Sequence, residues 1–214
     1  MKKPLLKFAR WMDSLKHQKN SLILLIVLNV FMAIGSNIAD WPWVLMVDWY
    51  LIPFTPICSL YPLALSVWFI LYYYKKNIPA WYTAFIVMGI SGYGVMAWLY
   101  YPMYMDWFGV HWRLIANIIW VSVYASQALI IASELKKLPW YQYALIAGYF
   151  AFKDYSDRFL GTFIDIRRPD FPPHLISLFW YTIMALHVLA FALIIYLPHK
   201  QKRLDSTETH SNSV

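Results

Sequence analysis

Long apolar runs, interrupted by short polar segments, recur along the whole of this chain. A helix needs about 20 mostly apolar residues to cross the hydrocarbon layer of a bilayer, and six runs come within a few residues of that length. They lie at approximately 21–38, 56–74, 80–101, 113–133, 139–152 and 175–197. The fifth run reaches a spanning length only if its helix continues through charged residues to about Leu160. The pattern predicts an all-α, polytopic membrane helix bundle of about six transmembrane helices.

The two ends of the chain differ from these runs. Residues 1–20 are basic and carry apolar residues at three- and four-residue spacing, which indicates an amphipathic helix at the membrane surface. No cleavage pattern follows the first apolar run, so we interpret that run as an uncleaved first helix. Residues 198–214 end in a Ser-, Thr-, His- and Asn-rich stretch and are predicted to form a disordered tail. The predicted transmembrane domain is thus 21–197.

Composition and charge agree with a membrane protein. Hydrophobic residues make up 61% of the chain and charged residues 14%. A water-soluble domain of this composition could not keep its apolar side chains away from its surface. If six runs cross the membrane, 13 of the 18 Lys and Arg residues lie on one side, so the positive-inside rule predicts cytoplasmic N- and C-termini. These basic residues adjoin apolar segments, which favours lipid headgroups over nucleic acid as partners. A single cysteine, Cys58, excludes a disulfide framework, and no metal site is predicted.

The first candidate site is the charged segment 153–158, Lys-Asp-Tyr-Ser-Asp-Arg. Residues three and four apart share a helix face, so Asp154, Asp157 and Arg158 are predicted to converge. Ionisable groups at membrane depth are costly and tend to be functional. In the alternative, the segment is solvated at the outer interface, where Asp154 and Arg158 form an ordinary surface pair.

The second candidate is the outer loop between the first two helices. It contains Asp48 and Thr55, which would lie over the external end of the bundle, close to Asp154 and Asp157. In the alternative, the loop is a rigid helix entry, in which Thr55 caps the second helix and Pro56 occupies its first turn.

Polar and small residues inside the apolar runs form the third group. Segment 89–94, Gly-Ile-Ser-Gly-Tyr-Gly, either permits close helix packing or leaves room for a ligand beside Tyr93. The polar residues Asn29, Asn117, Ser122, Ser126 and Gln127 are predicted to join helices rather than to bind substrate. His187 is expected to be a packed or hydrogen-bonded residue, because no second histidine at similar depth accompanies it as a haem ligand.

Four segments, in order along the chain, resemble the DUF1405 (YpjA-like) family of bacterial and archaeal membrane proteins. They are 49–60, the Gly-Tyr-Gly of the third run, the fourth run, and 153–158 with Gly161 and Pro169. Family members tend to read Asn-Asp-Tyr-x-Asp-Tyr where Lys153 and Arg158 flank the acidic pair here, and Pro-Asp-Cys/Ser-Pro where this chain has Phe54. The resemblance implies the cytoplasmic (plasma) membrane of a prokaryote. Since some members resemble neighbours of respiratory-complex genes, it also implies an accessory role.

Three functions are compatible with these patterns. The first is binding of a small molecule or lipid at the outer end of the bundle by Asp154, Asp157 and Arg158, with or without catalysis. The second is an accessory or assembly subunit of a larger membrane complex, with the lipid bilayer and other membrane subunits as partners. The third is a transporter or ion-translocating protein in which the same residues relay protons or ions. The sequence specifies no reaction, substrate or cofactor.

Overall fold

The computed structural model describes residues 2–55, 60–162 and 172–211, and every regular element in these ranges is helical. The α-helices are α1 (Lys2–Ser14), α2 (Lys19–Val44), α3 (Leu60–Tyr73), α4 (Ala80–Phe108), α5 (Trp112–Ser126), α6 (Ala128–Ile131), α7 (Trp140–Tyr155) and α8 (Pro173–Ser211). The shorter elements are the 3₁₀ helices Leu15–His17, Trp49–Phe54 and Ala132–Glu134 and the π-helical turn Ser156–Leu160. The all-α prediction is confirmed for the described residues.

Four helices in the described part of the chain are long and apolar enough to cross a membrane. Their apolar stretches are Lys19–Ile38, Ala80–Trp107, Leu114–Glu134 and Pro173–His199. Helix α3 is also apolar but has only 14 residues. Helix α7 continues directly into the π turn and so runs to Leu160, which is the extension that the fifth apolar run needs.

The helices alternate in direction between two ends of the bundle. At one end, the start of α2, the end of α3 and the start of α4 surround a cavity together with Glu134, which follows α6. At the opposite end, the 3₁₀ helix Trp49–Phe54 after α2 contacts the π turn after α7. Helix α8 is antiparallel to α4, because the ring of Phe179, near the start of α8, lies 4.8 Å from the ring of Tyr100, in the second half of α4. Successive long elements therefore cross the bundle in opposite directions.

Helix α4 lies at the centre of the bundle, where it packs against α3, α5, α7 and α8. Glycines allow these neighbours to come close. A Cβ at Gly89 would lie 2.0 Å from the ring of Tyr61, and one at Gly92 would lie 2.7 Å from the ring of His187. A Cβ at Gly94 would likewise clash with Ala125, so α5 also packs closely against α4 here. The space beside these glycines is therefore occupied by side chains of neighbouring helices.

A buried polar contact joins α2 to the α5–α6 pair. The Asn29 amide nitrogen donates to the Gln127 side-chain oxygen over 2.6 Å, and both residues are buried. Gln127 is the residue at which α5 ends and α6 begins. The prediction of contacts that join helices is confirmed for Asn29 and Gln127, whereas the hydroxyls of Ser122 and Ser126 donate to carbonyls of their own helix.

A buried lysine attaches the N-terminal helix to the bundle. Lys16 is only 2% exposed. Its ammonium group donates to Asp13 over 2.7 Å, to the carbonyl of Ile130 over 3.2 Å and to Ser133, and it lies 2.9 Å from Glu134. These oxygens satisfy all the donors of the ammonium group, so the end of α1 is fixed against α6.

The chain ends show what the sequence could and could not indicate. The predicted amphipathic N-terminal segment is helical in α1, where Met12 packs into the core while the apolar side chains of Phe8 and Trp11 are exposed. Helix α8 continues to Ser211, through most of the tail that the sequence predicts to be disordered. Extending an existing helix costs much less than starting one. Residues 56–58 and Pro169, which the sequence analysis singled out, lie outside the described residues.

Candidate functional site

The C-terminal end of α7 changes from α-helical to π-helical geometry at Ser156. The backbone N–H of Thr162 bonds to the carbonyl of Ser156 over 3.3 Å, and Gly161 between them has a φ of +67°. Glycine adopts this left-handed conformation without a steric penalty, which makes it the usual residue just past a helix end. Short π turns in α-helices are frequent at functional sites. Here the turn brings the Thr162 side chain back to the charged residues of α7.

A buried ion pair forms along this helix end. The Lys153 ammonium donates to Asp157 Oδ2 over 2.8 Å, and the two side chains are 1% and 4% exposed. The Thr162 hydroxyl donates to Asp157 Oδ1 over 2.6 Å, so both carboxylate oxygens of Asp157 have a partner. Isolated charges are very costly in an apolar interior, and the pairing makes burial of these two possible.

A second pair joins α7 to α8. Asp154 Oδ2 lies 2.8 Å from His187 Nδ1, and both residues are buried. The indole N–H of Trp180 on α8 donates to the backbone carbonyl of Asp154 over 2.9 Å. Two contacts from α8 therefore fix the position of Asp154, one on its carboxylate and one on its backbone.

Tyr93 of α4 lies between the two pairs. The Lys153 nitrogen is 4.7 Å from the centre of the Tyr93 ring, within the range of a cation–π contact. The Tyr93 ring also meets the His187 ring edge-on, with centroids 5.3 Å apart. The two pairs and Tyr93 thus form one contiguous cluster, which we call the buried network: Lys153, Asp154, Asp157, His187 and Tyr93.

Tyr93 and His187 lie near the middle of their apolar helices, whereas Lys153, Asp154 and Asp157 lie at the C-terminal end of α7. At about 1.5 Å per residue, Tyr93 is about 20 Å from the start of α4, and His187 is about 20 Å from either end of Pro173–His199. The hydrocarbon layer of a bilayer is about 30 Å thick. In a membrane Tyr93 and His187 would lie inside that layer, in contact with the end of α7 that carries Lys153 and Asp154.

Several polar atoms of this region have no hydrogen-bond partner among the described residues. They are Asp154 Oδ1, His187 Nε2, the Tyr93 hydroxyl and the hydroxyl of neighbouring Tyr61, and all are buried. Most buried polar groups in proteins are hydrogen-bonded, so each unpaired one calls for an explanation. A carboxylate, an imidazole and a phenol are also groups that exchange protons. Chemically, the arrangement can hold a proton at alternative atoms or bind a small polar molecule.

The structure unites only some of the residues singled out from the sequence. Asp154, Asp157 and Tyr93 belong to the buried network. Arg158 does not share it as the α-helical spacing predicted, since its half-buried guanidinium lies 5.9 Å from the centre of the Phe159 ring. No described contact joins Arg158 to either aspartate. The π turn explains the difference, because it changes the angular step between residues 154 and 158.

The loop residues Asp48 and Thr55 lie outside the buried network. Asp48 is exposed and accepts a hydrogen bond from Tyr50 over 3.0 Å, which raises the pKa of the Tyr50 phenol. Thr55 is buried, but its hydroxyl donates to the carbonyl of Leu51 within its own segment. The loop nevertheless covers α7, since Tyr149 donates to the carbonyl of Pro53 over 2.7 Å.

Sequence reasoning missed two members of the buried network. Lys153 was treated only as a charge flanking the acidic pair, although its four-residue spacing from Asp157 allows an ion pair on a helix. His187 was expected to be hydrogen-bonded, but nothing in the sequence identifies Asp154, 33 positions away, as its partner. The sequence offers one indication of this pairing: Asp154 and His187, an acid and a base, each lie within an apolar run, where a partner of the other type would be needed.

Comparison with known proteins adds no further assignment. No family model, curated protein or solved structure matches this chain. Within the described residues, no group of three or more His, Cys, Asp or Glu side chains is arranged to hold a metal ion. The geometry of the buried network therefore carries the functional argument.

Proposed function

We propose that this chain is a six-span membrane protein with both termini in the cytoplasm. The DUF1405 resemblance implies that it lies in the cytoplasmic membrane of a prokaryote. The four long apolar helices, with α3 and the extended α7, supply six elements of alternating direction. Lys19, Lys75, Lys76 and Lys136 lie around the cavity at one end of the bundle. This charge distribution supports the positive-inside orientation.

Within that bundle, we propose that the buried network binds and relays protons. The observation that carries this proposal is the Asp154–His187 pair, with one unpaired titratable atom on each residue. Ionisable residues inside a membrane are rare, face the bundle interior and commonly form proton relays. The proposal thus favours a proton-translocating or proton-coupled protein over a lipid-modifying enzyme.

The proposed chemistry needs only one proton and two positions for it. With the proton on His187 Nδ1 the pair is imidazolium and carboxylate, and with the proton on Asp154 Oδ2 both groups are neutral. In both states His187 Nε2 carries a hydrogen. From the imidazolium state Nε2 can release that proton to an acceptor, which leaves a neutral imidazole with its hydrogen on Nδ1 beside the Asp154 carboxylate, and Nε2 can later regain a proton from a donor. Lys153 and Asp157 form a fixed pair that sets the local charge while the proton moves.

A second candidate function is binding of a small polar molecule. It is supported by the unpaired atoms of Tyr61, Tyr93, Asp154 and His187, which belong to residues in contact with one another: the Tyr93 ring lies 5.6 Å from that of Tyr61 and 5.3 Å from that of His187, which pairs with Asp154. A ligand with both donors and acceptors would satisfy these atoms together. Against it, the space beside Gly89 and Gly92 is filled by the rings of the protein itself, and this favours protons over a larger ligand.

The test is proton movement into liposomes that contain the purified full-length protein and a pH-sensitive dye. We expect wild-type protein to dissipate an imposed proton gradient. Asp154→Asn and His187→Gln should slow this about a hundredfold, a typical contribution of one positioned proton-transfer group. Asp48→Asn is the matched control, because it makes the same chemical change at an exposed carboxylate.

Equal rates for wild type and Asp154→Asn, or no wild-type flux above that of empty liposomes, would overturn the proton proposal. Native mass spectrometry of protein extracted gently from its own membrane then separates the other functions. A small molecule lost on Asp154→Asn supports the ligand site. A stable complex with other subunits and no ligand supports the accessory role.

A further inference from the structure

A second site lies at the basic end of the bundle, remote from the buried network. A cavity of about 790 Å³ opens there between the start of α2, the end of α3 and the start of α4. Lys19, Lys75, Lys76 and Lys136 line it, and all four are exposed. They come from three separate connections of the chain, so the fold gathers their charges at one place.

The positive charge of these lysines exceeds the negative charge at the cavity. Glu134 also lines the cavity, but it lies 2.9 Å from Lys16, which pairs with Asp13 as well, so these three residues together offset only about one of the four lysine charges. Among the described residues, no carboxylate forms an ion pair with Lys19, Lys75, Lys76 or Lys136. The cavity therefore presents a cluster of cations that attracts a compact anion.

The walls of the cavity are partly apolar. Leu22, Trp68 and Ile78 line it together with Tyr72. Trp68 is fully buried, and its indole N–H donates to the Thr83 hydroxyl over 3.0 Å, so this wall is ordered. A site with cations at its mouth and apolar walls at the end of apolar helices matches the headgroup region of a lipid.

Lys75 has an unusual backbone conformation that keeps it at this cavity. Its φ is +53°, in the left-handed region that non-glycine residues rarely adopt. The backbone N–H of Lys75 donates to the carbonyl of Tyr72, and the N–H of Lys76 donates to the carbonyl of Leu71. These two hydrogen bonds are the Schellman pattern of a helix end. Glycine is the usual residue at this position. A strained lysine where glycine is easier suggests that its side chain has a role.

We propose that this cavity binds the phosphate headgroup of an anionic membrane lipid. Ammonium groups donate charge-assisted hydrogen bonds to phosphate oxygens, and basic residues on the cytoplasmic side attract anionic lipids. The apolar walls accept the glycerol end of the lipid, which a free phosphate ion does not possess. This proposal does not depend on proton relay by the buried network. Of the proposed function, it rests only on the placement of the protein in a membrane.

The test is a native mass spectrometry titration of the delipidated full-length protein with three probes: dihexanoyl phosphatidic acid, dihexanoyl phosphatidylcholine and inorganic phosphate. We expect phosphatidic acid to bind at least about tenfold more tightly than the other two, since only it combines an anionic headgroup with an apolar part. Lys76→Ala and Lys136→Ala should each weaken its binding about fivefold. Lys137→Ala is the matched control, because this exposed neighbour does not line the cavity.

Lys75→Gly distinguishes a binding role from a structural one. Glycine removes the cation and also relieves the left-handed strain, so lipid binding should weaken about fivefold while the Tm of the lipid-free protein rises by about 2–4 °C. Unchanged lipid binding in Lys75→Gly and in Lys136→Ala would overturn the proposal. Inorganic phosphate that competes as well as phosphatidic acid would also overturn it, because the site would then serve a soluble anion.

Discussion

Removing either charge of the Lys153–Asp157 pair should cost far more stability than removing both. The two side chains are 1% and 4% exposed and 2.8 Å apart, so each charge depends on the other for compensation. Lys153→Met leaves the Asp157 carboxylate with only the Thr162 hydroxyl, and Asp157→Asn leaves the Lys153 ammonium facing an amide and the Tyr93 ring. Each single change should destabilise the fold by about 3–5 kcal/mol, the usual cost of an uncompensated buried charge.

The double variant Lys153→Met with Asp157→Asn contains no buried charge at this position. Asn can still accept the Thr162 hydrogen bond, and Met fills an apolar space of similar length. We expect a total loss of about 1–2 kcal/mol, so the two single effects should fail to add by about 4 kcal/mol or more.

The assay is unfolding of the purified protein in mixed micelles of increasing SDS fraction, followed by tryptophan fluorescence. Lys137→Met serves as the control, because it makes the same chemical change at an exposed lysine and should stay within about 0.5 kcal/mol of wild type. If the single variants each cost less than about 1 kcal/mol and their effects add, the pair is not a buried, mutually compensating unit.

Two smaller perturbations test the packing of α4 and the anchor of α1 by the same unfolding assay. Gly92→Ala places a Cβ 2.7 Å from the His187 ring and should lower the free energy of unfolding by about 1–3 kcal/mol. The control Gly148→Ala places a Cβ with nothing within 4 Å and should be neutral or stabilise the fold by up to about 1 kcal/mol. Equal effects of the two substitutions would contradict the close approach of His187 to α4. For Asp13, burial raises the pKa, but hydrogen bonds led by that from Lys16 outweigh burial and hold it below its ordinary value of 3.8. Its stabilising effect should be complete above that value and be lost as the pH falls through the lower folded-state pKa. Asp13→Asn should therefore weaken the loss of stability on acidification, and an unchanged acid dependence would contradict this anchor.

Much of the helical organisation could be predicted because it depends on local pattern. A long apolar run with few charges has little alternative to a buried or membrane-spanning helix. Even the extension of the fifth helix to Leu160 follows from the length that such a run needs. The number of helices that cross a membrane is less easily inferred, since the described part of the second apolar run, in α3, has only 14 residues.

The buried network could be predicted only in part, for reasons of sequence distance and helix geometry. Asp154 and Asp157 were identified because charges inside an apolar run are exceptional. Arg158 was grouped with them because an α-helical step was assumed, and a π turn is not visible in a single sequence. The partner of Asp154 is His187 on another helix, and that pairing depends on how α7 and α8 pack. Local patterns do not contain such long-range contacts.

The most direct test of the central proposal is infrared difference spectroscopy of the reconstituted protein during a step in pH. The carboxyl stretching band reports whether an aspartate carries a proton, and the imidazole bands report the state of His187. We predict a carboxyl signal that disappears in Asp154→Asn, shifts in His187→Gln and persists in Asp48→Asn. A wild-type spectrum without a carboxyl signal, or one that Asp154→Asn leaves unchanged, would show that Asp154 does not exchange protons and would contradict the proposed relay.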